Sequence, residues 1–341
     1  MKLLILTQAV DTQDSVLGFF CGWLKEFSKH YDSIEVVCLK EGEHKLPTNV
    51  HIHSLGKESG RSRIKYIFRF YRYLWSLRRE YDAVFVHMNQ EYVLLGGIPW
   101  RLLRKRIGFW RNYRTGTLLT SPACWLAHHV FYTSPDSYTA RFKHAVRMPM
   151  GIDTRTFTLG KPIPRSILFL GRLDPEKRTE IFVEALSRLH EAGTLFTADI
   201  YGDPTYGESP YIRALKEQAM PLIQAGVLKM HPAIPNPETP PIFAAHALYV
   251  NITPAGSFDK TIGEAMASGS LVVCMNDAVS GVLPGELIIN GSTESLIEGI
   301  EVALGMDQQM QDTLRMICRS YVEDVHSLEL LARRLRSTFD V

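Results

Sequence analysis

Short apolar runs ending in turn residues alternate with amphipathic stretches along almost the whole chain, and this alternation limits the possible folds more than any other feature. Residues 2–6, 34–39, 83–87, 106–110 and 130–133 read as buried strands, and residues 18–30, 64–81, 92–104 and 137–143 between them read as helices. The pattern pauses over 150–164, where Gly151, Gly160, Pro162 and Pro164 mark a linker. It resumes with strands at 166–170, 197–201, 227–231, 248–251 and 271–274, and ends in a single helical run over 312–339. Strands that are apolar throughout, each followed by a helix, build parallel sheets covered on both faces. Two such series predict two doubly wound α/β domains, one over 1–155 joined by a C-terminal helix at 320–341, the other over 163–319.

A chain of 341 residues with 45% hydrophobic content can bury two cores of that size. No stretch approaches the roughly 18–20 apolar residues of a membrane-spanning helix. The opening run over 1–6 stops at Thr7 and Gln8, and Asp11 and Asp14 follow without a small-residue cleavage site, so it reads as a strand rather than a signal peptide. Five scattered cysteines with no CxxC pair read as reduced core thiols, which predicts a cytoplasmic protein.

The net charge of +2 hides an asymmetry. Residues 1–150 hold 22 Lys and Arg against 12 Asp and Glu, whereas the remainder holds 16 against 24. Much of the excess lies over 61–79, where Ile64, Ile67, Phe68, Tyr71, Leu74 and Trp75 recur at helical spacing, and at Arg101, Arg104, Lys105, Arg106, Arg111 and Arg114. This is either a solvated outer helix or a basic, aromatic-flanked face that rests on an anionic membrane or binds a phosphorylated lipid. A nucleic-acid partner is not expected, because no recognition motif accompanies the charge and the pI is only about 8.2.

Several chemistries lack their motif. There is no G-x-G-x-x-G after the first strand, no P-loop, no G-x-S-x-G elbow and no H-E-x-x-H. Cys124, His128 and His129 are close in sequence but read as a fortuitous grouping, so no metal site is expected.

Two segments of the second half carry more. In Gly171-Arg172-Leu173-Asp174-Pro175-Glu176-Lys177-Arg178, a strand ends and Asp174 and Pro175 suit the N-cap and first position of a helix. Lys177 and Arg178 then fall in a first turn, where the macrodipole disfavours cations. They are either solvated surface charges or, with Arg172, the holders of an anion at that helix end. In Asn251-Ile252-Thr253-Pro254-Ala255-Gly256-Ser257-Phe258-Asp259-Lys260-Thr261-Ile262-Gly263-Glu264, a strand feeds a small-residue loop and a short helix. Thr261 and Glu264 have capping-box spacing, which is the structural alternative to a ligand role for Glu264.

These segments together resemble the retaining nucleotide-sugar glycosyltransferases of family 4. The likeness extends to Met148-Pro149-Met150-Gly151-Ile152-Asp153 at the domain junction, to His87-Met88-Asn89, and to Val16-Leu17-Gly18-Phe19-Phe20 after the first strand. The resemblance implies a GT-B fold, with two Rossmann-like domains facing a central cleft. It assigns Arg172 and Lys177 to the donor diphosphate and Glu264 to the ribose hydroxyls. Gly256, Ser257, Phe258, Asp259, Lys260 and Thr261 would lie along the donor, and Gly18 against its phosphate from the first domain. His87, Tyr113 and Arg114 fall on the acceptor and sugar side. Three positions depart from the family pattern: Gly256 stands where a sugar-binding Glu is common, the region of Tyr113 and Arg114 lacks the family His, and Met150 replaces the junction Asn.

The expectation is a metal-independent, cofactor-free hexosyltransferase. It would move a sugar from a UDP- or GDP-sugar to a saccharide or lipid-linked acceptor in bacterial polysaccharide or glycolipid assembly, in the cytoplasm or peripherally on the inner face of the membrane. A catalytically inactive nucleotide-sugar-binding or scaffold protein of the same fold is the alternative, and a dinucleotide oxidoreductase is a distant third.

Overall fold

The computed structural model describes residues 1–340 apart from 61, 206 and 255–258. In chain order the elements are β1 (Leu3–Val10), α1 (Phe19–Phe27), β2 (Ile34–Glu41), β3 (Val50–Ser54), α2 (Arg63–Ser76), β4 (Ala83–His87), α3 (Gln90–Leu102), β5 (Arg106–Trp110), α4 (Thr120–Leu126), β6 (His129–Tyr132) and β7 (Ala145–Arg147). They continue with β8 (Ile163–Leu170), α5 (Thr179–Glu191), β9 (Thr197–Tyr201), α6 (Pro210–Gln224), β10 (Leu228–His231), α7 (Thr239–Ala245), β11 (His246–Asn251), α8 (Lys260–Ser268), β12 (Leu271–Cys274), α9 (Thr293–Gly305), α10 (Gln308–Tyr321) and α11 (Leu328–Asp340). Two compact units result: Met1–Gly151 with Pro235–Pro237 and Leu328–Val341, and Ile152–Ile234 with Glu238–Ser327.

The first unit is a seven-stranded parallel sheet in the order β3-β2-β1-β4-β5-β6-β7. Its two cores follow from the period of a strand. Leu3 and Ile5 of β1 enter a cluster with Phe20 and Trp23 of α1 and Leu331, Leu335 and Phe339 of α11. Leu4 and Leu6 point the other way, into a cluster with Phe70 and Leu74 of α2, Trp100 of α3 and Cys124 of α4. Each fully buried side chain of this size contributes roughly 1.5–3 kcal/mol. The second unit is a five-stranded parallel sheet in the order β10-β9-β8-β11-β12. In both sheets the chain first winds one way from a central strand and then reverses. The reversal lies between β1 and β4 in one unit and between β8 and β11 in the other.

Four expectations are corrected. The run over 312–339 is not one helix: a π-turn at Val322–His326 separates α10 from α11. The two halves serve different cores, because α10 buries Leu314 and Cys318 in the second unit while α11 packs on α1 in the first. Residues 137–143 form only a 3-10 turn at Tyr138–Arg141. β3 and β7, which had not been anticipated, are the edge strands, short and partly exposed, so neither shows a clean apolar run. α4 was likewise unanticipated. No helix among the described residues is long and apolar enough to cross a membrane, and all five cysteines are free and buried.

Candidate functional site

Ligands of open parallel sheets bind beyond the carboxyl ends of the strands, where the winding reverses. In the second unit that position is occupied by a polar knot. β11 ends at Asn251, whose Oδ1 accepts from Thr253 N–H at 3.1 Å and so shapes the turn that follows. Asn251 Nδ2 and Thr253 Oγ1 donate to Asp259 Oδ2 at 3.0 and 2.8 Å. Lys177, which follows β8, reaches across and donates from Nζ to the same oxygen at 2.5 Å and to Thr253 Oγ1 at 3.1 Å. Burial alone would raise the pKa of Asp259, but the Lys177 charge and the donors around the carboxylate outweigh it and hold the group below the usual carboxylate range. Asp259 stands at the N-cap of α8, yet its side chain does not cap the helix. The carboxylate is committed to Lys177 instead, at the expense of a cap normally worth about 1 kcal/mol.

Arg172 lies at the end of the same strand, β8. Its guanidinium is 3.3 Å from Asp174, which also accepts from Thr205 N and Oγ1 at 3.1 and 2.6 Å. Asp174 is therefore not the cap of a long helix, which corrects the sequence reading. Pro175–Lys177 form one 3-10 turn, Arg178 takes a left-handed backbone (φ 54), and α5 begins only at Thr179. Lys177 thus sits ahead of the helix rather than in its first turn, and its charge is met by the Asp259 carboxylate.

The capping box that was the structural alternative for Thr261 and Glu264 does not form. Thr261 is the second residue of α8, and its Oγ1 accepts from the buried Tyr249 hydroxyl at 2.7 Å. Glu264 is 2% exposed and lies 3.7 Å from Lys260 Nζ. Burial pushes the Lys260 ammonium pKa down, while Glu264 and Asp153 pull it the other way. Gly256, Ser257 and Phe258 lie outside the described residues. The second unit therefore gathers Lys177 and Asp259 in one group and Lys260 and Glu264 in a neighbouring pair. Asn251, Thr253 and Thr205 are missing from the sequence-based set. No spacing in the sequence marks them, and only the sheet order brings Thr253 to Lys177. Among the described residues, no group of three or more His, Cys, Asp or Glu is placed to hold a metal ion.

The first unit places its predicted residues differently. Gly18 precedes α1 in a tight loop, where its N–H donates to Asp14 O at 2.8 Å and a Cβ would come within 2.7 Å of that oxygen. His87, the last residue of β4, is 4% exposed and caged by Phe20 (ring centroids 4.6 Å apart), Trp23 (5.6 Å), Phe19 (6.3 Å) and Phe85 (6.4 Å). Burial pulls its pKa down to about 3, so the ring is neutral at physiological pH. Thr7 Oγ1 lies 3.5 Å from its Nδ1. Tyr113 is exposed beneath the Arg111 guanidinium, and Arg114 is exposed. Neither touches His87. The buried side chain of that segment is Asn112, whose Oδ1 accepts from Thr133 N, Ser134 N and Ser137 Oγ. Met150 is buried in the first unit, and Gly151 after it has a left-handed φ of 72, where a Cβ would strike Leu331 and Trp23.

Residues 164–315, from β8 into α10, match the family model described as Glycosyl transferases group 1. No curated protein matches the chain. Solved structures similar over the full length include Anabaena HepE in complex with UDP and glucose, at 19% identity and a TM-score of 0.78, covering 100% of this chain and 99% of that one. Sucrose-phosphate synthase from Thermosynechococcus elongatus is similar at 14% identity and 0.77, covering 100% and 98%. The E. coli trehalose-6-phosphate protein bound with UDP-2-fluoro glucose is similar at 10% identity and 0.72, covering 99% of each chain. The two parallel-sheet units have the architecture of GT-B glycosyltransferase structures.

Proposed function

We propose that this chain is a retaining glycosyltransferase that moves a sugar from a nucleoside-diphosphate sugar to a saccharide or lipid-linked acceptor. The observation that carries the reading is the meeting of Lys177 with Asn251, Thr253 and Asp259 across the β8–β11 reversal, within the stretch that matches the glycosyltransferase model. The departing group of such a reaction is a nucleoside diphosphate, so the principal chemical need is stabilisation of negative charge as the glycosidic bond breaks. Arg172 and Lys177 supply that charge from the one connection between β8 and α5, in place of a metal ion. Glu264 holds the ribose and the loop before α8 lies along the sugar. UDP in HepE favours uridine over guanosine in the donor. The acceptor attacks from the face the phosphate leaves, which retains configuration. The basic first unit takes the acceptor, in polysaccharide or glycolipid assembly at a cytoplasmic membrane surface.

A thermal-shift panel of UDP, GDP, ADP, dTDP and NAD, with and without magnesium, tests this on wild type and Arg172→Ala. A ligand at a hundred times its Kd stabilises the fold by about 2.7 kcal/mol. One nucleoside diphosphate should shift wild type without magnesium and shift Arg172→Ala much less. Release of that diphosphate from its sugar donor in the presence of acceptor then separates an enzyme from an inactive binding protein. A response to NAD alone would contradict the reading.

A further inference from the structure

The first unit contains a cavity of about 580 Å³ that the donor chemistry does not use. It is walled by Leu39 of β2, Leu55 after β3, Ile67 and Phe70 of α2, and Tyr92 and Leu95 of α3. Gln8, Tyr66 and Asn89 also line it, but most of the lining surface is apolar, so its volume suits a small molecule with a hydrocarbon part better than a sugar or nucleotide. The charged side chains that line it are Arg63 and Glu91, both exposed, in the first turns of α2 and α3.

α2 is unusual on its other side as well. Ile64, Phe68, Tyr71 and Trp75, spaced by four, three and four residues, form one stripe that is 82, 70, 42 and 62% exposed. Beside it run Arg63, Lys65, Arg69 and Arg72, and the helix holds no acidic residue. None of these cations forms an ion pair among the described residues. Arg69 donates to Leu55 O at 2.8 Å, which leaves Arg63, Lys65 and Arg72 as the cations beside the stripe. A stripe of large apolar side chains flanked by cations has the make-up of a helix that lies in the interface of an anionic bilayer. The helix that forms a cavity wall is thus also the one equipped to touch lipid.

We propose that this cavity binds the hydrocarbon chain of a phosphate-bearing amphiphile drawn from a bilayer, with the phosphate held by Arg63, the cation of α2 that lines it. The proposal deepens the reading of the first unit as the acceptor side and rests on it, but its test is separate. Dodecyl phosphate, below its micelle concentration, is titrated into the full chain by calorimetry. Saturable binding is expected, at least ten-fold tighter than that of inorganic phosphate, and at least ten-fold weaker in Leu95→Trp, which fills the cavity. Phe68→Ser, on the outer stripe, should keep the dodecyl phosphate affinity while losing most flotation with phosphatidylglycerol-containing vesicles. If Leu95→Trp does not fold, a diazirine at the chain terminus should label residues of α2 and α3 in wild type.

Absence of saturable binding would overturn the proposal, as would labelling elsewhere in the chain. Inorganic phosphate binding as tightly as dodecyl phosphate would show a free-anion site and overturn it too. UDP binding, measured in parallel, distinguishes the two readings: its loss with dodecyl phosphate binding intact contradicts the donor site alone.

Discussion

In the first unit the end of β4, beside the winding reversal, packs His87 among Phe19, Phe20, Trp23 and Phe85. In the second unit the corresponding position gathers Lys177, Asn251, Thr253 and Asp259 around one carboxylate oxygen. The two sheets share parallel pairing and the same reversal, so topology offers a ligand position in each. What differs is the residues at the strand ends. One set excludes water and charge. The other holds a lysine paired with a carboxylate. The fold supplies two such positions, and the residues at the strand ends make them chemically different.

The comparison can be broken at several points. Phe20→Ala should have the largest effect on stability, about 4 kcal/mol in urea unfolding, since it opens a cavity beside a fully buried ring. UDP affinity of the folded fraction should not change, and a loss of affinity would mean that the two positions are not independent. Asp259→Ala should cost about 3 kcal/mol, because it leaves the Lys177 ammonium and the Asn251 amide without their acceptor. A cost below 1 kcal/mol would show that the knot is solvated.

Acid should separate the units next. His87 has a folded pKa near 3 against an ordinary value of 6.5, so between those values the unfolded chain binds a proton that the folded chain does not. Stability is therefore lost as pH falls below about 6.5, by about 2 kcal/mol at pH 5. His87→Leu should remove that slope, which urea midpoints at pH 5 and 7 would reveal. Asp259 loses stability in the same direction but in a lower pH window. Its folded pKa lies below the unfolded one, so its contribution is complete above about pH 4 and is lost only in stronger acid. The smallest effect belongs to Arg172→Ala. The partly exposed pair with Asp174 is worth less than about 1 kcal/mol, so the melting temperature should barely move.

Much of the architecture was legible because buried parallel strands are apolar along their whole length. The bounds of β4, β5, β9 and β12 are those read from the pattern. β3 escaped because its sequence, Val-His-Ile-His-Ser, is that of a half-exposed edge. The break at 322–327 escaped because helical spacing continues through it, and only the existence of two cores explains why the chain turns there. The site was legible in its charges but not in its connections. Lys177 and Asp259 stand out by type, whereas their joining depends on β8 and β11 being neighbours, which no local spacing encodes. Thr261 and Glu264 show the converse: the spacing of a cap was present, and a buried tyrosine hydroxyl took the threonine.

The most direct test is a calorimetric titration of UDP into wild type and Lys177→Met in buffer free of divalent ions. A charge-assisted bond to phosphate is worth about 1.5–3 kcal/mol. The account predicts saturable binding by wild type and at least ten-fold weaker binding by the variant. Equal affinities, or no binding by a folded wild-type protein, would contradict the assignment of the diphosphate to the β8–β11 reversal.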